Sequence, residues 1–392
     1  MPAHWLEAYV VLAGIVLLML EAFLPRKEKF LIGCLGIGAL IFGLVLLFWA
    51  EAPENNKEMT RFYAWDSQAK FFKGFALLAG IMTLTLCLDY RKILAKFTAN
   101  PDSDDSTGEY YCLILFAVAG MMWMASAKDL VSLFVSLELT TITLYILVAY
   151  MRRNVGSLEA GVKFLILGAI STGFLVYGIS WIYGATGTTS LAAIGETMSE
   201  ENSTYLLFGL ALILISLAFK VGAVPMHLWI PDVYQGAPTP TTAFLSVASK
   251  ASGFAVALRV LQPFFENSIT AEKTTFIVAV LAGATILVGN LAAIPQSNFK
   301  RLLAYSSIAN AGFILLGIAA WNSKSDLSAF QVTGFYLSVY FLMTFAAFFI
   351  LGAIHRDSGS DEIAAFEGLG TRNPALAFLT TIVIGALAGL PL

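Results

Sequence analysis

A bundle of membrane-spanning α-helices is the fold that the sequence predicts, and three observations predict it. The chain is 58% hydrophobic and only 12% charged, where a soluble domain is nearer a quarter charged. Its mean hydropathy is +0.79, and apolar runs close to the ~20 residues that cross a bilayer recur along its length. One of these runs, 205–234, is too long for a single straight span and carries Pro225 and Pro231.

Taken in order, the predicted spans are 6–24, 31–49, 71–88, 111–127, 130–150, 161–183, 205–221 with a continuation at 223–235, 242–262, 275–294, 302–320, 329–353 and 375–392. These twelve spans read as one all-α transmembrane domain, 1–392. Within it, 6–127 supplies N-terminal helices, 130–262 a first half and 275–392 a second half. The first run has no positive region before it and no clear cleavage site after it, so it reads as a retained span rather than a signal peptide. The 100–109 stretch is acidic, with Pro101 and Gly108, and reads as a solvated turn. The stretch 184–204 reads as an outer loop and 355–374 as a polar inner connection.

Lysine and arginine set the orientation. With the N-terminus outside, twelve basic residues fall on inner loops, in tight groups such as Arg26-Lys27, Arg91-Lys92, Arg152-Arg153 and Lys300-Arg301. Seven fall on outer loops and edges, among them Lys57, Lys73 and Lys324. The positive-inside rule therefore favours N-terminus out. The remaining four, Lys163, Lys220, Lys250 and Arg259, lie within spans.

Other function classes find little support. The three cysteines, Cys34, Cys87 and Cys112, are isolated, so iron–sulfur or zinc ligation within this chain is not expected. No glycine-rich dinucleotide fingerprint and no Walker lysine occur. No basic surface points to nucleic acid. The expected cofactor content of this chain is none.

The 216–253 segment organises the rest. Proline removes a backbone donor and clashes with the carbonyl four residues back, so the helix is expected to break near 221–226. Inside a bilayer such a break needs protein or water to satisfy the freed backbone groups. Broken helices beside ionisable residues mark ion pathways in transporters. After Pro238 and Pro240 another apolar helix begins, with Lys250 within it.

Ionisable groups at membrane depth are the candidate site. Glu138 lies near the middle of the fifth span, where a charge costs about 2.5–3.5 kcal/mol on insertion scales. It reads either as a proton-relay carboxylate or as half of a structural ion pair. Lys220 sits one turn before the break, too deep to snorkel easily, and reads as a proton-exchanging amine. Lys250 is placed similarly in the eighth span. Lys163, near the inner end of the sixth span, fits a relay or snorkelling. Arg259, near an outer end, fits snorkelling. His227 follows Pro225 and either titrates or hydrogen-bonds freed backbone. Asp232 reads as structural, Tyr305 as packing, and His4 and His355 as solvated.

The run Lys220-Val-Gly-Ala-Val-Pro-Met-His-Leu-Trp-Ile-Pro-Asp-Val-Tyr-Gln-Gly-Ala-Pro-Thr-Pro resembles the antiporter-like membrane subunits of respiratory complex I. Phe244-Leu-Ser-Val-Ala-Ser-Lys, Lys300-Arg-Leu-Leu-Ala-Tyr-Ser-Ser-Ile and Gly184-Ala-Thr-Gly-Thr are similar to subunit N of NADH–quinone oxidoreductase in particular. The resemblance implies about fourteen helices with two inverted five-helix repeats, each holding a broken helix. It implies a proton-carrying subunit of a bacterial inner-membrane complex, with other complex I subunits as partners. NADH, flavin, iron–sulfur clusters and quinone would then belong to those partners. By motif match, Glu138 and Lys220 would be a coupled pair and Lys250 a central relay, with Lys163 and His227 on the same polar axis.

Two departures from the family pattern stand out. Asn310 occupies a position where relatives often carry histidine. The sequence also stops at Leu392 inside an apolar helix, and so reads as C-terminally incomplete, without the segment that normally carries an exit lysine. A cation/proton antiporter subunit and a shortened scaffold subunit are the alternative expectations.

Overall fold

The computed structural model describes residues 1–25, 28–53, 57–98, 107–321 and 327–390. Arg26, Lys27, Lys324, most of the 100–109 turn and the final two residues lie outside the described residues. The chain forms α1 (Trp5–Phe23), α2 (Phe30–Trp49), a short α3 (Lys57–Phe62), α4 (Ser67–Lys96), α5 (Gly108–Ser126) and α6 (Leu130–Val148). It continues through α7 (Val155–Thr186), a short α8 (Leu191–Thr197), α9 (Ser203–Val221), α10 (Trp229–Gly236), α11 (Thr239–Phe244) and α12 (Lys250–Glu266). The last helices are α13 (Ala271–Ala293), α14 (Phe299–Ala319), α15 (Ala329–Ser358), α16 (Leu369–Arg372) and α17 (Pro374–Leu387).

Among the described residues, eleven helical runs are long and apolar enough to cross a membrane, Thr239–Glu266 counting as one. Each matches one of the first eleven predicted spans. The twelfth corresponds to α17, which is 14 residues long in the described chain. The helix boundaries follow from capping chemistry. Asp66, Asp129, Asn154, Asn298 and Asn373 accept backbone N–H groups at the starts of α4, α6, α7, α14 and α17. Ser328 and Gln331 form a reciprocal capping box on α15. These contacts satisfy the donors that a helix start leaves unpaired.

Every residue from Thr239 to Leu261, through α11 into α12, is buried, whereas α1, α2, α7 and α13 bury only about a quarter of their residues. The outer helices turn residues such as Leu12, Phe48, Leu165 and Leu291 outward, as helices facing lipid or neighbouring apolar protein do. Close packing between α7 and α9 needs two glycines. A Cβ on Gly178 would lie 2.7 Å from the Gly209 carbonyl oxygen, so the backbones meet directly.

Several basic residues depart from the sequence expectations. Arg259 does not snorkel. Its guanidinium donates to both Asp66 carboxylate oxygens at 3.0 and 2.9 Å, and its Nε to the Ala125 carbonyl at 2.9 Å. That fork ties α12 to the start of α4 and the end of α5. Lys73, counted as an outer-edge charge, is fully buried and pairs with Glu7 of α1 at 2.5 Å. Lys300, counted as a loop charge, is buried at the start of α14 and pairs with Asp361 at 3.0 Å. His355 is not free in solvent either, because its Nδ1 lies 2.6 Å from Asp361.

Asp361 therefore fastens the connection after α15 onto α14, and its backbone oxygen also accepts the Phe299 N–H at 2.8 Å. Burial pushes its carboxyl up, but the charge of Lys300 and the contact with His355 outweigh this and hold it below the usual carboxylate range. A depressed folded-state value contributes stability above the unfolded value, near ~3.9, that is lost as pH falls through the folded one. Asp361→Asn is thus expected to lower the melting temperature near neutral pH, with the gap from wild type closing below about pH 4. Melting curves of both proteins between neutral and acid pH check this, and a gap that stays constant with pH contradicts it.

Candidate functional site: a buried polar row through a broken helix

The break falls where the prolines placed it, but glycine terminates the helix. After Val221, Gly222 adopts φ +79°, the left-handed conformation that ends many helices. A Cβ there would also meet Ile230 at 2.1 Å. The Gly222 and Ala223 N–H groups fold back onto the Ala218 carbonyl at 2.9 and 2.8 Å. Residues 224–228 run as turns, and α10 then begins with Pro231 in its first turn, where the missing N–H costs nothing.

The freed backbone groups are met by neighbouring protein. The Val224 N–H donates to Thr285 Oγ1 of α13 at 3.0 Å. Trp229 Nε1 donates to the Phe219 carbonyl, near the end of α9, at 3.0 Å. The Trp229 ring stacks on Phe164 at 4.5 Å and tilts against Phe219 at 5.3 Å. Beyond the break, Asp232 takes Lys163 Nζ at 2.6 Å and Arg301 Nη1 at 2.8 Å, tying α10 to α7 and α14.

The lysine ahead of the break is held by a hydroxyl. Lys220 is buried, and its Nζ donates to Thr141 Oγ1 of α6 at 3.1 Å. Thr141 lies one turn beyond Glu138, on the same helix face. Glu138 accepts a 2.7 Å hydrogen bond from Thr172 Oγ1 of α7. Glu138 also lines a mostly apolar groove of about 1200 Å³ between α1, α5, α6 and α7. No direct Glu138–Lys220 ion pair forms; each is held by a threonine hydroxyl instead.

Lys220 also leans on α12. A Cβ at Gly253 would lie 3.2 Å from Lys220 Cγ, so the bare glycine makes room for the lysine stem. Gly253 is one turn from Lys250. Lys250 is buried, donates to both Oγ and the carbonyl oxygen of Ser307 on α14, and faces the Tyr340 ring at 5.7 Å. Ser307 Oγ lies 3.3 Å from Tyr234 OH, and Ser246 Oγ lies 2.9 Å from Tyr340 OH. One turn beyond Ser307, Asn310 accepts from Tyr336 OH at 2.6 Å and donates to the Ser306 carbonyl at 2.8 Å.

Three of the five candidate residues thus fall in one row across α6, α9, α12 and α14. Lys163 lies apart, with its side chain 43% exposed between Glu159 and Asp232. His227 sits in the turns of the break, half-buried, and its buried Nδ1 has no hydrogen-bond partner. The sequence reading missed one feature. The five residues before Lys250, Leu245–Ser249, form a π-helical turn. Such turns widen a helix at functional sites, and this one carries Ser246 into the row. Its only sequence trace is the polar Ser246 and Ser249 in an otherwise apolar run.

Residues 127–392 match the family model described as NADH:quinone oxidoreductase/Mrp antiporter, transmembrane. Residues 1–88 also match the model of an NfeD integral membrane domain. Over 391 residues the chain is 39% identical to NADH-quinone oxidoreductase subunit N 2 of Chloroherpeton thalassium, covering 97% of this chain and 74% of that one. The chain belongs to the subunit N family of NADH-quinone oxidoreductase. Among solved structures, it aligns with a chain of respiratory complex I from Thermus thermophilus at a TM-score of 0.77 and 31% identity, covering 98% of this chain and 79% of that chain. It also aligns with a chain of an archaeal membrane-bound sulfane sulfur reductase at a TM-score of 0.82 and 26% identity, covering 99% and 78%. The predicted antiporter-like helix bundle is therefore the fold observed.

Thr285 supplies the clearest local test of the break. Thr285→Val keeps the shape but leaves the Val224 N–H without its partner, and is expected to cost about 1–3 kcal/mol. Thr285→Ser retains the acceptor and is expected to stay within a few tenths of wild type. Thermal unfolding of the three proteins measures the difference, and equal melting for valine and serine contradicts the assignment.

Proposed function

We propose that this chain is the proton-translocating membrane subunit of a complex I-type NAD(P)H–quinone oxidoreductase, with Glu138, Lys220 and Lys250 carrying the protons. The observation that supports it most is the buried row itself. Two amines in an apolar bundle are each held by a neutral hydroxyl, one beside a helix break. A hydroxyl can accept from an ammonium and donate to a neutral amine, so each lysine keeps a partner in both protonation states. Protonation of Glu138 removes a nearby negative charge and so alters the field at Lys220. Lys163 and His227 have lesser roles, at the inner end and in the turns of the break.

The same reading assigns the chain to one transmembrane domain, with halves at 130–262 and 275–392. The N-terminus lies outside the inner membrane of a bacterium. NADH, flavin, iron–sulfur clusters and quinone belong to partner subunits, and redox energy reaches this chain through contacts within that assembly. The matching family model also covers multi-subunit cation/proton antiporters. The sequence after Pro231, Asp-Val-Tyr-Gln-Gly-Ala-Pro, and the names of the relatives favour the quinone-linked reading. Co-purification without iron–sulfur or flavin subunits would favour the antiporter.

Lys220→Ala in the assembled complex is the direct test. It is expected to lower the proton translocation rate about tenfold or more, and with it the protons moved per electron. Wild-type rate and stoichiometry in that variant contradict the proposal.

A further inference from the structure

A second buried titratable cluster lies outside the row. Glu7 of α1 and Lys73 of α4 are both fully buried and pair at 2.5 Å. Tyr63, just before α4, joins both partners. Its hydroxyl donates to the Glu7 carboxylate oxygens at 3.1 and 3.2 Å and accepts from Lys73 Nζ. Lys73 also faces the Tyr63 ring at 4.2 Å and the Trp65 ring at 4.9 Å. The cluster lies under a small apolar patch of Ala3, Ala50 and Tyr63, separate from the main core. Lys73 is six residues into α4 and Glu7 two into α1, so both lie within about 10 Å of the end of the bundle where the chain begins.

A half-buried histidine adjoins this cluster. His4 is half-buried, its ring meets Tyr63 edge-on at 6.4 Å, and its buried Nδ1 has no hydrogen-bond partner. Further charges nearby are the Asp66–Arg259 pair and Lys70, whose Nζ lies over the same Trp65 ring at 5.2 Å. On its inner side, α4 packs directly against α12, the helix that carries Lys250.

We propose that Glu7, Tyr63 and Lys73 form a proton-exchange site at the N-terminal end of the bundle, distinct from the row through Lys220 and Lys250. The transfer balances without any other reactant. A Lys73 N–H bond breaks as its proton passes to the Tyr63 oxygen, while the Tyr63 O–H proton passes to a Glu7 oxygen. The tyrosine is regenerated, and a neutral amine and a carboxylic acid remain. Glu7 then releases its proton to solvent beside His4, and Lys73 takes up another. Lys73 and Glu7 already touch, so a purely structural ion pair needs no hydroxyl that both accepts from Lys73 and donates to Glu7, and this difference makes the site testable.

The inference rests on the chain moving protons, so Lys220→Ala is measured alongside. The discriminating variant is Tyr63→Phe in the assembled complex in vesicles, because it keeps the ring, the patch and the ion pair. Assembly at wild-type level is expected, with proton translocation slowed about tenfold and its pH profile shifted. The double variant Glu7→Leu, Lys73→Met removes both charges together and is expected to be slowed at least as much. Wild-type translocation in Tyr63→Phe overturns the proposal. Loss of assembly in Tyr63→Phe also overturns it, because the hydroxyl would then be holding the bundle together. Normal translocation in Lys220→Ala would overturn the reading of the row instead, and leaves the Tyr63→Phe result to decide this site by itself.

Discussion

The structure depends on how a bilayer-embedded bundle partners its buried amines. A lysine far from water needs hydrogen-bond acceptors, and the choice of acceptor decides what the lysine can do. Near the two ends of the bundle the acceptors include carboxylates: Glu7 for the buried Lys73, Asp361 for the buried Lys300, and Asp232 for the more exposed Lys163. Along the central row they are neutral: Thr141 for Lys220 and Ser307 for Lys250. A carboxylate neighbour stabilises the ammonium and fixes the helix that carries it. A hydroxyl neighbour serves either state of the amine. Asp232 and Asp361 therefore fasten their helices by charge, the Glu7–Lys73 pair carries the Tyr63 hydroxyl as well, and the central lysines rest on neutral groups.

The helix that carries Lys220 breaks two residues beyond it, at Gly222. An unbroken α9 would continue past Lys220 with its backbone sealed by its own hydrogen bonds. Instead Gly222 ends the helix, Thr285 and Trp229 take up the freed backbone groups, and α10 is tied down by Asp232. The break thereby has its freed groups partnered by side chains. The π-helical turn ahead of Lys250 works in the same direction on α12, turning Ser246 towards Tyr340. Two local departures from regular helix thus flank the row, and both are satisfied by side chains from neighbouring helices.

Much of this was legible in the sequence because the bilayer imposes simple rules. Apolar runs of the right length gave the helices, the prolines marked the break, and Glu138, Lys220 and Lys250 stood out as charges at the wrong depth. What sequence could not supply was pairing across distance. Lys73 lies near a helix start and looks like an edge charge until Glu7, 66 residues away, is found against it. Arg259 looks like a snorkelling residue until Asp66, 193 residues away, closes the fork. The π-helical turn leaves only the polar Ser246 and Ser249 as a trace, and both would fit an ordinary α-helix equally well. Lys163 and His227, which the motif groups with the others, lie apart from the row because α7 and the break place them there.

The claim that neutral partners keep the central lysines free to exchange protons is tested most directly by giving one of them a carboxylate. Thr141→Asp places an acid beside Lys220 with little change in volume, and the assembled variant can be measured for protons moved per electron. The account predicts that the complex assembles and its pumping falls sharply, because the ammonium is then locked in place. Pumping at the wild-type ratio in that variant would contradict it.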